Sequence, residues 1–450
     1  MRRIPALDAL RLLAALAVAL YHYTTFWSPD GVHNPAHFVP SLSRVTVYGF
    51  LGVEMFFMIS GFVIGMSSWG KRIGDYAVSR VSRLYPAYWA CVAITLAFTT
   101  LFPISGGWIP VYDDFTWVDV GINLTMLQHP LGHPSVDNVY WTLWVELRFY
   151  LLWALVVGRG VTYRRAVLFC VVWMTAAVLA VQIDHPALTM LTMPDYAGYF
   201  CAGILLYLVR RFGGSPLLWA MLAFTWLINL HSLHERVQLN PGWTVPLWPA
   251  ALIVTAIYLT LAAIALGRAD RLDWRWLTVA GALTYPYYLL HQRLGYILIR
   301  HGMVDAGLPL ELLVPATMAI MLIPAWLVHR FIERRFGPLL RDALHRGLTD
   351  LRRDDPAGSA GPDPASGAGR SSGASRSSGA GGSSGAGTAP VTDGAAITVP
   401  HQVTIRREPG QAPVTVLTTT VARSSSGPGR GAGGTLIGPY PRGVLRNDSR

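Results

Sequence analysis

The stretch ALDALRLLAALAVALYHYTTF, residues 6–26, decides the class of fold. Its 21 positions include only Asp8, Arg11 and His22 as charged or imidazole side chains. An apolar helix needs about 20 residues to cross the hydrocarbon core of a bilayer. The stretch is longer than the apolar core of a signal peptide, and it lacks a clear small-residue cleavage site. We therefore predict a transmembrane helix that is retained in the protein.

Comparable apolar stretches recur along the chain and predict an all-α polytopic membrane protein. The composition agrees, because 52% of the residues are hydrophobic and only 14% are charged, whereas soluble proteins carry roughly 25% charged residues. We predict about ten transmembrane helices, near residues 6–26, 46–66, 84–103, 140–158, 165–183, 195–209, 216–231, 246–266, 277–299 and 311–331.

The basic residues fall in alternate connections, which predicts that both termini are cytoplasmic. The predicted outer loop 104–139 contains four aspartates and no lysine or arginine. The net charge of +11 therefore reflects cytoplasmic loops and does not indicate a nucleic-acid partner. The basic residues assigned to the inner side are Arg2, Arg3, Lys71, Arg72, Arg80, Arg83, Arg159, Arg164, Arg165, Arg210, Arg211, Arg268, Arg271, Arg275, Arg330, Arg334 and Arg335. The outer side holds little beyond Arg44, Arg236 and Arg300.

The composition changes near residue 352, where Gly, Ser, Ala and Pro become dominant. Such a segment buries too little apolar surface to offset the entropy of ordering. We therefore predict a transmembrane domain at 1–345 and a disordered cytoplasmic tail at 346–450. The cysteines, Cys91, Cys170 and Cys201, lie in apolar runs, so neither disulfides nor a metal site is expected.

The first predicted helix carries a cation and an imidazole on one face. Arg11 and His22 are eleven residues apart, which is three turns plus roughly 20° of rotation. A guanidinium can hold an anionic donor, and an imidazole can take a proton from an attacking hydroxyl. The alternative for His22 is a hydrogen-bonded histidine at the membrane interface without a chemical role.

Carboxylates in other spans are costly in a membrane and are the next candidates for chemistry. Glu54 and Ser60 lie in GVEMFFMISGF, and Glu146 and Arg148 lie in WTLWVELRFY. Glu146 or Glu54 could orient the ring of His22, as carboxylates do in many catalytic sites. The alternatives are a structural ion pair across helices for Glu146 and simple helix packing for Ser60. Residues two apart do not face each other on a helix, so Glu146 and Arg148 must each have another partner.

Two further groups suggest binding sites for the two substrates. Arg80 and Arg83, three residues apart, share a helix face and could hold phosphate groups; the alternative is anchoring at the membrane surface. His291, in YPYYLLHQR, could bind the acceptor or support the first histidine, or it could be a hydrogen-bonded buried histidine.

Six motifs, in order, resemble those of the bacterial acyltransferase-3 family of membrane O-acyltransferases. The resemblance covers about residues 4–340, and no Gly-Asp-Ser block of an appended esterase domain occurs in the tail. The motifs are Arg11-x10-His22, GVEMFFMISGF, the pair Arg80 and Arg83 followed by Tyr85 and Pro86, WTLWVELRFY, YPYYLLH and FIER.

This resemblance implies a stand-alone O-acyltransferase in the bacterial cytoplasmic membrane. Its co-substrate would be cytoplasmic acyl-CoA, commonly acetyl-CoA, with no permanently bound cofactor, and its acceptor a hydroxyl of a carbohydrate, glycolipid or glycosylated small molecule. We expect His22, Glu146 and Glu54 to be catalytic. Arg11, Arg80 and Arg83 are expected to bind the donor, and His291, Ser60 and Tyr150 the substrate. The alternative function is a transporter or flippase, although no convincing internal repeat supports it.

Overall fold

A computed structural model describes residues 4–104, 115–238, 245–272 and 274–353. Within these ranges every regular element is a helix, as the hydropathy pattern predicts. Arg2, Arg3, Asp113 and Asp114, which contribute to the predicted orientation, lie outside the described residues, and so does the predicted tail beyond Arg353.

The described residues form fifteen α-helices. Turns of 3-10 helix cover Pro35–His37, Val47–Leu51 and Asn138–Tyr140, and a π-helical stretch covers Val328–Glu333. The α-helices are α1 (Pro5–Thr25), α2 (Pro40–Thr46), α3 (Gly52–Ser68), α4 (Ile73–Leu101), α5 (Trp117–Asn123), α6 (Trp141–Gly158), α7 (Tyr163–Ile183), α8 (Pro186–Thr192), α9 (Pro194–Phe212), α10 (Pro216–Gln238), α11 (Leu247–Ala265), α12 (Arg275–Val304), α13 (Leu310–Ile320), α14 (Leu322–Leu327) and α15 (Arg334–Arg353).

Eight helical segments of the described chain are long and apolar enough to cross a membrane, which makes this a multi-pass membrane protein. They are Pro5–Thr25, Pro40–Ser68, Ile73–Leu101, Asn138–Gly158, Tyr163–Ile183, Pro216–Val237, Leu247–Ala265 and Leu310–Leu351. By length and apolarity, the structure thus supports eight of the ten predicted spans.

The other two predicted spans, near 195–209 and 277–299, are the helices α9 and α12. Helix α9 is buried continuously from Ala197 to Val209 and packs against α3, α7, α10 and α11. Helix α12 carries His291, Gln292 and Arg293 and packs against α1, α4, α13 and α14. Because much of their surface meets protein and not lipid, these two helices tolerate more polar residues than their neighbours.

Helices α3 and α9 cross where glycines face each other's backbone. A Cβ atom on Gly61 would lie 2.2 Å from the carbonyl oxygen of Phe200, and one on Gly203 would lie 2.0 Å from that of Met58. Only a residue without a side chain fits at either place, as at the small-residue crossings typical of membrane helices.

Helices α1 and α12 run parallel, because Asp8 lies beside Gly281 and Tyr23 lies beside Gly295. This packing directs both Arg11 and His22 toward α12, since Arg11 shares a cavity wall with Gly281 and His22 contacts His291. The structure therefore agrees with the prediction that the two residues share one face of the first helix.

The last helix, α15, continues to Arg353 and so extends beyond residue 345, where the sequence predicted the tail to begin. It runs antiparallel to the start of α4. A Cβ atom on Gly337 would lie 3.5 Å from the carbonyl oxygen of Ser82, and His345 lies 3.7 Å from the carboxylate of Asp75.

Candidate active site

A cavity of about 100 Å³, partly open to the outside, lies between α1, α3, α4, α6 and α12. Six of the nine residues predicted to form the site line it, although they come from four helices that are distant in sequence. These six are Arg11, Ser60, Arg80, Arg83, Glu146 and Tyr150.

The lining of this cavity carries more positive than negative charge. Three arginines face it, and Glu146 is the one carboxylate among the described lining residues. The side chain of Arg80 is buried, with 9% exposure, and its Nε atom has no hydrogen-bond partner. Its Nη2 atom donates to the hydroxyl of Ser79 at 3.0 Å. Buried guanidinium groups that face open space are suited to an anionic ligand.

Glu146 is held inside the cavity by two hydroxyl donors. Ser60 and Tyr150 both donate to its Oε1 atom, which joins α3 to α6 and places all three predicted residues in one network. The expectation that Glu146 orients His22 is not met by this geometry. Arg148, as predicted, has a different partner, because its guanidinium donates to the carbonyl of Met190.

Glu54 also does not orient His22. Its carboxylate is buried, with 1% exposure, and accepts from Arg236 Nη2 at 2.5 Å. Arg236 also donates to the hydroxyl of Tyr196 at 2.7 Å. The sequence treated Arg236 only as a rare basic residue of the outer side, since residues 182 positions apart give no local signal of pairing.

The partner of His22 is the second intramembrane histidine. His22 Nδ1 lies 2.9 Å from His291 Nε2, and the ring centroids are 5.1 Å apart. His291 Nδ1 lies 2.8 Å from the carbonyl oxygen of Tyr288. Tyr23 donates to the carbonyl of His291 at 2.6 Å and so fixes this turn of α12 against α1.

These contacts determine where the protons of two neutral imidazoles lie. A carbonyl oxygen only accepts, so His291 Nδ1 carries a proton and His291 Nε2 must accept. The proton shared by the two rings therefore belongs to His22 Nδ1, and His22 Nε2 keeps a free lone pair. This arrangement assigns to His291 the orienting role that the sequence gave to a carboxylate.

One aromatic side chain separates the histidine pair from the cavity. Tyr288 lines the cavity, its ring centroid lies 5.5 Å from that of His291, and its hydroxyl donates to Thr142 at 3.2 Å. Neither His22 nor His291 lines the cavity itself. The sequence did not single out Tyr288, although its position within YPYYLLH, three residues before His291, was an available signal.

A second residue that the sequence analysis missed is Asp137, which was counted only as one of the acidic residues of the outer loop. It is fully buried and accepts from the backbone N–H groups of Val139 and Arg293, thereby joining the start of α6 to α12. Burial raises the pKa of Asp137 to about 6, although both N–H donors favour its charged form. In the described part of the chain, no cluster of three or more His, Cys, Asp or Glu side chains could hold a metal ion.

Comparison with known sequences identifies the family to which this chain belongs. Residues 4–330 match a family model described as an acyltransferase domain, which spans nearly all of the helical region. The chain belongs to the acyltransferase-3 family. The match to an acyltransferase domain does not support the transporter or flippase weighed as the alternative.

Three relatives of this chain illustrate the range of the family. A putative peptidoglycan O-acetyltransferase of Bacillus subtilis is 29% identical over 198 residues, which are 41% of this chain and 28% of the relative. The peptidoglycan O-acetyltransferase of Listeria monocytogenes is 26% identical over 164 residues, or 33% and 23% of the two chains. An acyltransferase of Streptomyces mycarofaciens is 26% identical over 408 residues, or 81% of this chain and 96% of the relative.

The chain thus spans only about a quarter of the length of the two peptidoglycan enzymes but nearly all of the Streptomyces enzyme. No solved structure matches it.

Proposed function

We propose that this protein transfers an acyl group, with acetyl as the default by resemblance, from cytoplasmic acyl-CoA to a hydroxyl of a carbohydrate or glycosylated acceptor. It works in the bacterial cytoplasmic membrane with both termini inside. Family membership supports the transfer of an acyl group. The main observation in favour of an acyl-CoA donor and a hydroxyl acceptor is that a cationic cavity lies near an imidazole whose Nε2 atom is free.

The donor enters the cavity between α1, α4 and α12. Arg80 and Arg83 bind anionic groups of the thioester, and Arg11 lines the same cavity. Charged hydrogen bonds of this kind are stronger than neutral ones and suit phosphate oxygens. On this proposal the acyl end passes Tyr288 to reach the histidine pair.

The chemical step uses His22 as a general base. Its Nε2 atom takes the proton of the acceptor hydroxyl, the oxygen attacks the thioester carbonyl, and the C–S bond breaks. The thiolate of coenzyme A leaves and takes the proton from the imidazolium. General-base assistance of this kind contributes about 10²–10⁴-fold to the rate, and the positioning of the two substrates contributes more.

The acceptor belongs to the cell envelope or to secreted glycosides. Two relatives are named as acting on peptidoglycan, while the relative that is matched over 96% of its own length is named only as an acyltransferase. These names support a glycan or glycosylated hydroxyl as the class of acceptor.

Replacement of His22 by alanine tests the proposal. We expect His22→Ala to remain in the membrane at wild-type levels but to lose 10²- to 10⁴-fold in acetyl-CoA consumption by membrane vesicles. His234→Ala, at an exposed position of α10, is the control and should be unaffected. Full activity of His22→Ala would contradict the mechanism.

The acceptor requires a separate experiment. Mass spectrometry of envelope glycans and secreted glycosides would identify it.

A further inference from the structure

The packing of α15 on α4 places an additional cation beside the donor cavity. Gly337 and His345 both contact α4, at Ser82 and Asp75 respectively. Arg341 is one helical turn from each of them and shares their face of α15. By this antiparallel register, Arg341 lies level with the turn of α4 that precedes Arg80.

A lysine stands at the same end of the cavity. Lys71 lies in the connection between α3 and α4, two residues before α4 begins. Burial lowers the pKa of Lys71, and the positive charges of Arg80 and Arg341 lower it further, while Asp75 opposes the shift. Lys71 therefore lies close enough to Arg80 and Arg341 to be repelled by both. The acidic residue beside them, Asp75, is already within 3.7 Å of His345.

A cluster of like charges costs free energy unless a ligand of opposite charge occupies it. Arg80 has a second feature that points to a ligand, because its side chain is nine-tenths buried, lines the cavity and leaves Nε without a hydrogen-bond partner. Lysine and arginine together suit phosphate groups, the first as a point charge and the second as a planar fork.

We propose that Lys71, Arg80 and Arg341 form a subsite for the phosphate groups of coenzyme A at the cytoplasmic mouth of the cavity. This inference rests on the proposed acyl-CoA donor. The nucleotide end of coenzyme A carries a diphosphate and a 3′-phosphate, far from the thioester. With these groups held at the mouth by α4 and α15, the pantetheine arm extends along the cavity past Arg83 and Arg11. Helix α15 is thus part of the donor site and not only a connection to the tail.

Equilibrium binding to the purified full chain in discs of neutral phosphatidylcholine tests the subsite. The probes are coenzyme A, which has all three phosphates, and pantetheine, which has none. We expect Lys71→Gln and Arg341→Gln each to weaken the binding of coenzyme A about five- to tenfold, while the binding of pantetheine is unchanged. Arg346→Gln is the matched control, because it removes the same charge from another exposed position of α15 and should alter neither affinity.

The Michaelis constants provide a second measurement. In membrane vesicles, Lys71→Gln and Arg341→Gln should raise KM for acetyl-CoA by a similar factor and leave kcat and the KM for S-acetylpantetheine near wild type. Equal losses with both donors would mean structural damage and would overturn the subsite. The subsite is also overturned if neither variant changes coenzyme A binding, or if Arg341→Gln acts only in discs that contain anionic phosphatidylglycerol, which would make a lipid headgroup the occupant.

The two proposals can fail separately. A wild-type protein that binds coenzyme A in an Arg341-dependent way but consumes no acetyl-CoA would support the subsite and refute the acyl-transfer mechanism. A wild-type protein that consumes acetyl-CoA with a KM insensitive to Lys71 and Arg341 would retain the function and refute the subsite.

Discussion

At the scale of single residues, a peptide carbonyl determines which nitrogen of His22 can act as a base. The carbonyl of Tyr288 accepts from His291, and His291 in turn accepts from His22. Carboxylates often perform this orienting role, but here a neutral ring performs it, so no additional charge has to be buried among the helices. Each hydrogen bond in this series depends on the one before it. The effect of replacing His291 should therefore depend on whether the new side chain can accept a hydrogen bond from His22.

Replacement of His291 should affect the rate according to its hydrogen-bonding capacity. In His291→Gln, the amide oxygen can still accept from His22 Nδ1, and we expect a loss of about tenfold in kcat. His291→Leu offers no acceptor and should lose about 10²–10³-fold, with an altered pH profile of kcat because the orientation and tautomer of His22 are no longer fixed. Comparable protein levels and detergent stability of both variants are the control. Equal losses and unchanged pH profiles in the two variants would indicate that His291 is only a packing residue.

The pair of Glu54 and Arg236 yields a different prediction, because their contact is an ion pair within the protein. Arg236→Met should lower the free energy of unfolding by about 3–5 kcal/mol, since it leaves a buried carboxylate uncompensated. The double variant Glu54→Gln/Arg236→Met should recover a large part of that loss. Thermal unfolding in detergent measures both effects.

Asp270→Asn provides the control for this pair. It removes the partner of Arg210 in a more exposed ion pair and should cost less than about 1 kcal/mol. If Glu54→Gln abolished activity without any change in unfolding, Glu54 would be a catalytic group, as the sequence first suggested.

At the scale of helices, the crossing of α3 and α9 fixes one wall of the cavity. Val53, Phe56 and Phe57 of α3 line the cavity, while the adjoining side of the same helix meets α9 at Gly61. The position of Ser60 relative to Glu146 therefore depends on how closely these two helices approach.

Added side-chain volume at this crossing should destabilise the protein. We expect Gly203→Ala to lower the free energy of unfolding by about 1–3 kcal/mol, because its Cβ atom would overlap a carbonyl that cannot rotate away. Gly347→Ala in α15 is the matched control, since a Cβ atom there would have no neighbour within 4 Å. Unfolding followed by tryptophan fluorescence compares the two, and equal stability would show that the helices can separate without cost.

At the scale of the molecule, the arginines and the histidine pair lie at successive levels of α1 and α12. Arg11 and Gly281 are at the level of the cavity, and His22 and His291 lie beyond Tyr288. A donor held from one end and an acceptor approaching from the other would meet along these two parallel helices.

Removal of C-terminal segments separates the contribution of α15 from that of the tail. A chain ending at Arg353 should keep the acyltransferase rate of the full chain within about twofold, because the composition of 354–450 predicts a disordered tail. A chain ending at Glu333 also lacks α15 and should lose affinity for coenzyme A. Vesicle assays at matched protein levels provide the comparison, and an inactive 1–353 chain would show that the tail takes part in the reaction.

The sequence predicted the helical class, the shared face of Arg11 and His22, and six residues that meet in one cavity. Each of these follows from periodicity or from a motif.

The sequence did not predict the partners of Glu146, Glu54 and His22, because such contacts join helices tens to hundreds of residues apart and depend on how the helices pack. It also placed the end of the last helix too early, since α15 continues to Arg353 in a polar stretch that periodicity in the apolar spans does not cover.

The enclosed positions of α9 and α12 have a consequence for how this protein is made. A segment with tyrosines, glycines or a histidine partitions weakly into lipid when it leaves the translocon alone. Both helices are synthesised after their main packing partners, α3 for α9 and α1 for α12. Each can therefore pack against a helix that is already in the bilayer. The order of synthesis therefore compensates for the low apolarity of these two helices. A circularly permuted protein that begins at α9 should insert poorly into the membrane, even though it can form the same contacts once it is folded.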